Sequence, residues 1–119
     1  MAYEERERTG ITPEMRECID STSRCYSVTA ETLGYSMDGV GLRDPRHLRL
    51  LIDVGETLQT TQNGLLRLSE LSVMLAAVCM EACEKVAESC RRLDGSDPQL
   101  IACAEACEET AEYCRNLGV

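Results

Sequence analysis

The sequence predicts an all-α protein folded as an antiparallel four-helix bundle. Three observations favour this fold: apolar and cysteine residues recur with helical spacing in four segments, capping or breaking residues bound each segment, and no segment keeps the alternation of a strand. The links between segments are short, as is typical of antiparallel neighbours. We expect a flexible N-terminus at residues 1–11 and a single bundle domain at residues 12–119.

The first helix is predicted to begin at Thr12 and Pro13, because Thr is a good N-cap and Pro is favoured in the first turn. It should pass through the cysteines of the N-terminal segment and end near Gly34. Residues 35–44, which contain two glycines, are predicted to form a loop.

The second helix is predicted to begin at Asp44 and Pro45, another N-cap followed by proline. Its apolar positions are all leucine, isoleucine and valine, and it carries no cysteine. Asn63 and Gly64 form a common turn pair and should end it.

The third helix is predicted to open at Ser69 and to run to about Leu93. Asp97 and Pro98 should cap a fourth helix that ends near Leu117, before a glycine. The two helices share a weak internal repeat, since Cys-Met-Glu-Ala-Cys-Glu in one resembles Cys-Ala-Glu-Ala-Cys-Glu in the other.

The composition limits both the core and the class of partner. There is no Phe and no Trp, so the core must be built from Leu, Ala, Val, Ile, Met and Cys, with Met74 and Met80 predicted to fill gaps. A net charge of −9 argues against a nucleic-acid partner. No apolar run approaches the roughly 20 residues that span a membrane, so we expect no membrane partner. The charged residues 1–10 do not resemble a secretion signal, and we therefore expect a cytoplasmic protein.

Six of the eight cysteines form two trios of identical spacing, one on each side of the turn at residues 94–98. Within each trio the spacings are four and seven residues, which return a helical side chain to within about 40° and 20° of one face. Each trio therefore makes one sulfur stripe. Folding the two helices antiparallel predicts three layers: Cys90 with Cys103, Cys83 with Cys107, and Cys79 with Cys114. Cys18 and Cys25 repeat the seven-residue step in the first helix.

Stacked thiols of this kind are disulfides or ligands for a soft metal. Without a secretion signal, metal or redox chemistry is the better interpretation. Soft thiolates select Cu(I), zinc and iron–sulfur clusters. Structural zinc sites and iron–sulfur clusters require four converging ligands, usually on loops, whereas these sulfurs are spread along helices. The order of preference is therefore Cu(I), then zinc, then a cluster.

Three alternatives remain open at this point. Cys79 and Cys83 could be stapled by disulfides to Cys103 and Cys107, as in small helical-hairpin chaperones. A thiol-redox protein would need an accessible thiol of lowered pKa. A structural bundle could keep buried cysteines as small apolar side chains.

His47 is a candidate accessory metal ligand, and the alternative is a surface or capping histidine near a helix start. The chain has no other histidine, no nucleophile–histidine–acid arrangement and no phosphate-binding loop. The sequence therefore predicts no catalytic residue and no enzyme.

The chain resembles the cysteine-rich four-helix-bundle copper-binding proteins, which include the copper storage proteins. The resemblance rests on three stretches and covers about residues 13–117: Glu17-Cys18-Ile19-Asp20, residues 47–53 from His47 to Asp53, and the two cysteine repeats from Cys79 to Glu108. It implies a homo-oligomeric, cytosolic bundle that loads Cu(I) on interior thiolates.

Several positions depart from that family's pattern, in which all four helices carry cysteines. Threonine, valine, leucine or alanine stands where the stripes would continue, at Thr22, Thr29, Val54, Leu58, Thr61, Ala76, Val86 and Thr110. These residues preserve packing volume but remove ligands. The sequence therefore predicts a small Cu(I) site between the third and fourth helices, joined by Cys18 and Cys25.

Overall fold

The computed structural model describes residues 9–39 and 44–117, which form four helices. These are α1 (Pro13–Asp38), α2 (Pro45–Leu66), α3 (Ser72–Leu93) and α4 (Pro98–Leu117). The described residues contain no strand, and the predicted all-α four-helix bundle is confirmed. Most of the expected flexible N-terminus and part of the expected 35–44 loop lie outside the described residues.

Each helix packs against its two neighbours in the order α1, α2, α3, α4 and back to α1. The resulting bundle measures 49 × 24 × 22 Å. Neighbouring helices run antiparallel, because residue numbers rise on one helix as those of its contacts fall on the other. The contacts that establish this are Cys18 with Cys114 and Cys25 with Cys107 (α1–α4), His47 with Ser89 and Thr61 with Leu75 (α2–α3), and Tyr26 with Gly55 and Ser36 with His47 (α1–α2).

Helix α1 begins as predicted but is longer than predicted. The Thr12 hydroxyl accepts a hydrogen bond from the Met15 backbone N–H at 3.1 Å, as an N-cap should. The predicted end near Gly34 is wrong, since the helix continues to Asp38. Glycine in an exposed helix costs only about 0.5–1 kcal/mol relative to alanine, and Ser36 beyond it is buried against α2.

Helix α2 begins as predicted, with the Asp44 carboxylate accepting from two backbone N–H groups of the first turn. The predicted end at Asn63 and Gly64 is wrong, because the helix continues to Leu66. Gly64 is instead a packing residue. A Cβ atom there would lie 2.8 Å from Leu75 Cδ1, so glycine lets α3 approach closely.

Helix α3 begins three residues later than predicted, at Ser72 rather than Ser69. The Ser69 hydroxyl accepts from the Leu71 backbone N–H at 3.0 Å, a turn that serine side chains form readily. Leu68 has a positive φ of 56°, which also separates the two helices. The link between α2 and α3 is therefore an ordered turn.

Helix α4 agrees with the prediction at both ends. The Asp97 carboxylate accepts from the Gln99 and Leu100 backbone N–H groups, and the exposed Tyr35 hydroxyl of α1 donates to the same carboxylate. Met80 packs against the core, whereas the prediction for Met74 is wrong, because 66% of that side chain is exposed. No helix in the described ranges has the length and apolar content needed to cross a bilayer.

Candidate metal centre

All four helices present buried residues to the interior at alternating steps of three and four residues. On α3 these are Ala76, Cys79, Cys83, Val86 and Cys90, and on α4 they are Leu100, Cys103, Cys107, Thr110 and Cys114. On α2 they are Leu51, Val54, Leu58, Thr61 and Leu65, and on α1 they include Cys18, Thr22, Cys25, Thr29 and Thr32. The chemistry of the interior therefore depends on which residue type occupies each step.

The eight cysteines are all free thiols, and each is buried with no more than 2% exposure. The middle layer brings three of them together: the sulfurs of Cys25, Cys83 and Cys107 lie within 4.8 Å of one another. The Cys25 and Cys107 sulfurs are 3.8 Å apart. Three helices, α1, α3 and α4, thus contribute one thiol each to this group.

Two further layers flank the middle one, as the antiparallel pairing of the two cysteine stripes predicts. Toward the N-terminal end of α1, the Cys114 sulfur lies 3.8 Å from that of Cys18 and also hydrogen bonds with Cys79. Toward the opposite end, Cys90 pairs with Cys103. Cys18 and Cys25 therefore belong to the sulfur layers, where they face α4.

The layers are connected by single steps along two helices. Cys79 and Cys83 interact along α3, and Cys103 and Cys107 interact along α4. The eight sulfurs consequently form one continuous cluster, which we call the thiol line. Any soft metal ion bound in one layer would have thiols of the next layer within reach.

Contacts between the sulfurs of the thiol line shift their pKa values in opposite directions. Hydrogen bonds from Cys114 and Cys83 lower the pKa of Cys79 to about 4. Hydrogen bonds from Cys107 and Cys83 lower the pKa of Cys25 to about 5, and hydrogen bonds from Cys107 and Cys90 lower that of Cys103 to about 4. These three sulfurs are favoured as thiolates, the form that binds metal.

Four other thiols have raised pKa values. Contact with Cys103 and burial raise the pKa of Cys90, and contacts with Cys103, Cys25 and Cys83 raise that of Cys107. For Cys114 the cause is contact with Cys18 and then with Cys79. The Cys107 contact lowers the pKa of Cys83, but contacts with Cys25 and Cys79 and burial outweigh it. These thiols must lose a proton before they can bind an ion.

Hydroxyl groups occupy positions between the sulfur layers, and one of them, that of Ser21, could not be predicted from the helical spacing alone. Thr110 lies between the Cys107 and Cys114 steps, and its hydroxyl is 2.7 Å from that of Ser21 on α1. Thr22 donates to the Ile19 carbonyl of its own helix at 2.9 Å. Ser21 adjoins a stripe position, but its inward placement depends on α4 being next to α1.

His47 lies at the end of the bundle near the Cys90–Cys103 layer. Its side chain is fully buried, which excludes the surface and capping alternative; Asp44 is the cap. The ring Nδ1 is 2.9 Å from the Ser89 hydroxyl, and Nε2 is 3.5 Å from the Ser36 hydroxyl. Burial lowers the pKa of His47, so the ring is neutral at pH 7.

The charged side chains lie outside this interior. Glu84, Glu108 and Glu109 form exposed ion pairs with arginines, and Glu81, Glu88 and Glu105 are also exposed. The acids of α3 and α4 thus form a solvated face. Arg91 and Arg115 bind Glu108 and Glu84 there, outside the thiol line.

The geometry suits a soft ion that accepts few ligands. A tetrahedral zinc site with zinc–sulfur bonds of about 2.3 Å needs four sulfurs roughly 3.8 Å apart. In the described part of the chain, the largest group of converging metal-binding side chains is the one that contains Cys25, Cys83 and Cys107. Thiolate ligands in twos and threes favour Cu(I) over harder cations.

Comparisons with known proteins match the chain to one family and to two solved structures. The sequence profile of the copper storage protein family (Csp) matches residues 11–118. No curated protein sequence matches the chain. The structure is similar to the crystal structure of the Nmul_A1745 protein from Nitrosospira multiformis, with a TM-score of 0.80 and 30% identity over 88% of this chain and 94% of that one. It is also similar in fold to the Cu(I)-bound copper storage protein BsCsp3, with a TM-score of 0.82 and 20% identity over 89% and 99% of the two chains.

Proposed function

This chain belongs to the copper storage protein family, and on that premise we propose that it stores or buffers a few Cu(I) ions on the cysteine thiolates of the thiol line. The ligands would be Cys79, Cys83, Cys90, Cys103, Cys107, Cys114, Cys18 and Cys25. The function is binding and release of an ion rather than catalysis.

One observation carries this proposal: the convergence of Cys25, Cys83 and Cys107 at the centre of the thiol line. Three thiols from three helices can hold one Cu(I) ion without rearrangement of the backbone. The neighbouring layers supply bridging thiols for further ions. Because α2 contributes no thiol, the capacity is limited to a few ions.

His47 is proposed as an accessory ligand at the Cys90–Cys103 end. A neutral buried imidazole can bind a soft or borderline metal through one nitrogen. Both nitrogens now face serine hydroxyls, so binding would replace the longer contact, that of Nε2 with Ser36. A His47→Asn variant should then lose affinity for one ion only, which a Cu(I) titration would resolve.

The cellular setting is also part of the proposal. We propose a cytoplasmic protein, because free thiols are maintained in reducing compartments. We propose that it forms a homo-oligomer, and that neither nucleic acid nor a membrane is a partner of so acidic a chain.

Burial speaks against the thiol-redox alternative. Exchange with an external thiol or disulfide requires an accessible sulfur, and no cysteine here exceeds 2% exposure. The hairpin-staple alternative also fits poorly, because Cys79 faces Cys114 rather than the Cys103–Cys107 pair. Zinc remains the alternative metal.

The proposal is tested by anaerobic titration of fully reduced protein with Cu(I) in competition with a chromogenic chelator, after counting free thiols. We expect eight free thiols and several tightly held equivalents per chain. Parallel titration with Zn²⁺ should show weaker binding. Failure to compete for Cu(I) with all thiols free would refute a copper store and leave a structural bundle.

A further inference from the structure

Three of the buried threonines hydrogen bond with sulfurs of the thiol line, and each does so from a neighbouring helix. The pairs are Thr61 of α2 with Cys79 of α3, Thr110 of α4 with Cys25 of α1, and Thr32 of α1 with Cys103 of α4. All three threonines are buried, with no more than 1% exposure. The three sulfurs belong to three different layers, so each layer contains a sulfur with a hydroxyl partner.

Two of these threonines also share a second contact, with the residue four positions before the cysteine. The Thr61 hydroxyl donates to the Leu75 carbonyl at 3.2 Å, and the Thr110 hydroxyl donates to the Ser21 carbonyl at 3.3 Å. Four residues make about one turn of an α-helix. Each hydroxyl therefore lies against the turn that presents the sulfur, in the same way on two different helices.

The hydrogen of each hydroxyl can serve the sulfur instead of the carbonyl. A threonine has one hydroxyl hydrogen to donate, but the carbonyls of Leu75 and Ser21 already accept the backbone N–H of the cysteine one turn later. The Ser21 hydroxyl, whose oxygen is 2.7 Å from that of Thr110, can also supply Thr110 with a hydrogen. A hydrogen bond to a charged acceptor is stronger than one to a neutral carbonyl. A metal-binding thiolate is therefore the better acceptor.

We propose that Thr110, Thr61 and Thr32 are positioning residues for Cu(I), whose hydroxyls each donate to one sulfur per layer and hold it in the orientation that binds the ion. The inference rests on the proposed Cu(I) function and adds to it residues that are not ligands. A hydrogen bond to a ligand fixes the ligand's orientation, and the loss of such a partner typically costs about 10–100-fold in metal affinity.

The three hydroxyls should contribute unequally. Thr32 donates to the Val28 carbonyl of its own helix at 2.7 Å and accepts from the Gln99 side-chain amide at 2.9 Å. Its hydrogen is thus held more tightly than those of Thr61 and Thr110, whose carbonyl contacts are longer. We expect the largest effect on Cu(I) binding from Thr110, which serves the central group of thiols, and the smallest from Thr32.

A pair of substitutions separates the hydroxyl of Thr110 from its bulk. Thr110→Val removes the hydroxyl and keeps the branched shape, whereas Thr110→Ser keeps the hydroxyl. Anaerobic titration of the reduced proteins with Cu(I) against a chelator should show one equivalent held about 10–100-fold more weakly in Thr110→Val, with the number of equivalents unchanged. Thr110→Ser should bind as wild type does. Valine is used because cysteine at this position would add a ligand as it removes the hydroxyl.

Thr29→Val is the matched control, since Thr29 is equally buried but donates to the Tyr26 carbonyl of its own helix at 3.1 Å. It should leave the Cu(I) affinity unchanged. Thermal unfolding measures the stability of each variant, and if Thr110→Val does not fold, Thr61→Val replaces it.

The outcomes distinguish this inference from the proposed function. A folded Thr110→Val that binds Cu(I) as tightly as wild type, an equal loss of affinity in Thr29→Val, or a Thr110→Ser as weak as Thr110→Val would overturn the inference and leave the copper store intact. A wild type that does not bind Cu(I) in competition would refute both.

Discussion

Helices α2 and α4 lie across the bundle from each other and bury residues at the same steps. Leu51, Val54, Leu58, Thr61 and Leu65 on α2 correspond in spacing to Leu100, Cys103, Cys107, Thr110 and Cys114 on α4. Three of the five positions on α4 are cysteines, whereas none on α2 is. The two helices are thus equivalent as packing elements and different as sources of ligands.

This difference separates folding from metal capacity. The pattern of three- and four-residue steps is sufficient for the bundle, because leucine, valine, threonine and cysteine all fill an interior step. The choice between them decides whether a step can bind an ion. The bundle should therefore tolerate exchanges in both directions, and copper binding should follow the position of the thiols.

The largest effect is expected from replacing Cys83 and Cys107 together by serine. Both belong to the central group, and their loss separates the two outer layers. We expect loss of at least one Cu(I) equivalent, and an affinity loss beyond the roughly 10–100-fold that removal of an outer-shell partner costs. Chelator competition measures both quantities.

Leu58→Ile on α2 serves as the control for that variant. It alters a fully buried step without changing any ligand and should cost less than about 1.5 kcal/mol of stability. Its copper stoichiometry should equal that of wild type. Equal copper loss in both variants would mean that packing, rather than thiolate ligation, determines binding.

The second prediction adds a thiol to the helix that has none. Thr61 is buried and its hydroxyl hydrogen bonds with Cys79, so Thr61→Cys should place a ninth thiol beside the first layer. We expect tighter binding of the ion in that layer. Loss of the Thr61 hydrogen bond to the Leu75 carbonyl should cost about 1 kcal/mol of stability.

Thr60→Cys is the matched control, because Thr60 is adjacent but exposed. It adds the same thiol to the same helix without placing it in the interior. Competition titration should show a gain for Thr61→Cys alone. Equal Cu(I) affinities of the two variants would show that the position of the added thiol within the bundle does not matter.

The third prediction concerns protons. Hydrogen bonds from neighbouring thiols lower the pKa values of Cys25, Cys79 and Cys103, whereas contact with neighbouring sulfurs and burial raise those of Cys83, Cys90, Cys107 and Cys114, so we expect the second group to hold protons at pH 7. Loading with Cu(I) should therefore release protons at pH 7, chiefly from the second group. Affinity should fall as the pH is lowered, more steeply below about 5, where Cys25 also gains a proton.

Calorimetry in buffers of different ionisation enthalpy measures this release. Dependence of the apparent binding enthalpy on the buffer is the expected result. An apparent binding enthalpy that does not depend on the buffer would mean that all the sulfurs that bind Cu(I) were already thiolates before the ion was added.

The smallest effect is expected on the solvated side of the bundle. The Arg24–Glu109 ion pair joins α1 to α4 at 3.3 Å, with both side chains more than half exposed. Glu109→Gln should therefore cost less than about 1 kcal/mol of stability and leave copper binding unchanged. Thermal unfolding measures the stability of this variant, and Cu(I) titration measures its copper stoichiometry. A changed copper stoichiometry would contradict the expectation that the surface ion pairs do not affect the thiol line.

The four helices and the pairing of sulfurs between α3 and α4 can be predicted from the sequence, because both follow from local periodicity. The helix ends that depend on tertiary contacts cannot be predicted in this way. Gly64 was predicted to be a break and is a close-packing position for Leu75. His47 was ambiguous because its burial depends on Ser36 and Ser89 from two other helices. The contact between Ser21 and Thr110 depends on the neighbouring helix in the same way.

The most direct measurement is anomalous diffraction at the copper edge from crystals loaded anaerobically with Cu(I). The proposed function predicts copper peaks only along the thiol line, between α1, α3 and α4, with the central site bound by Cys25, Cys83 and Cys107. Copper bound to surface carboxylates, or an interior free of copper after loading, would contradict it.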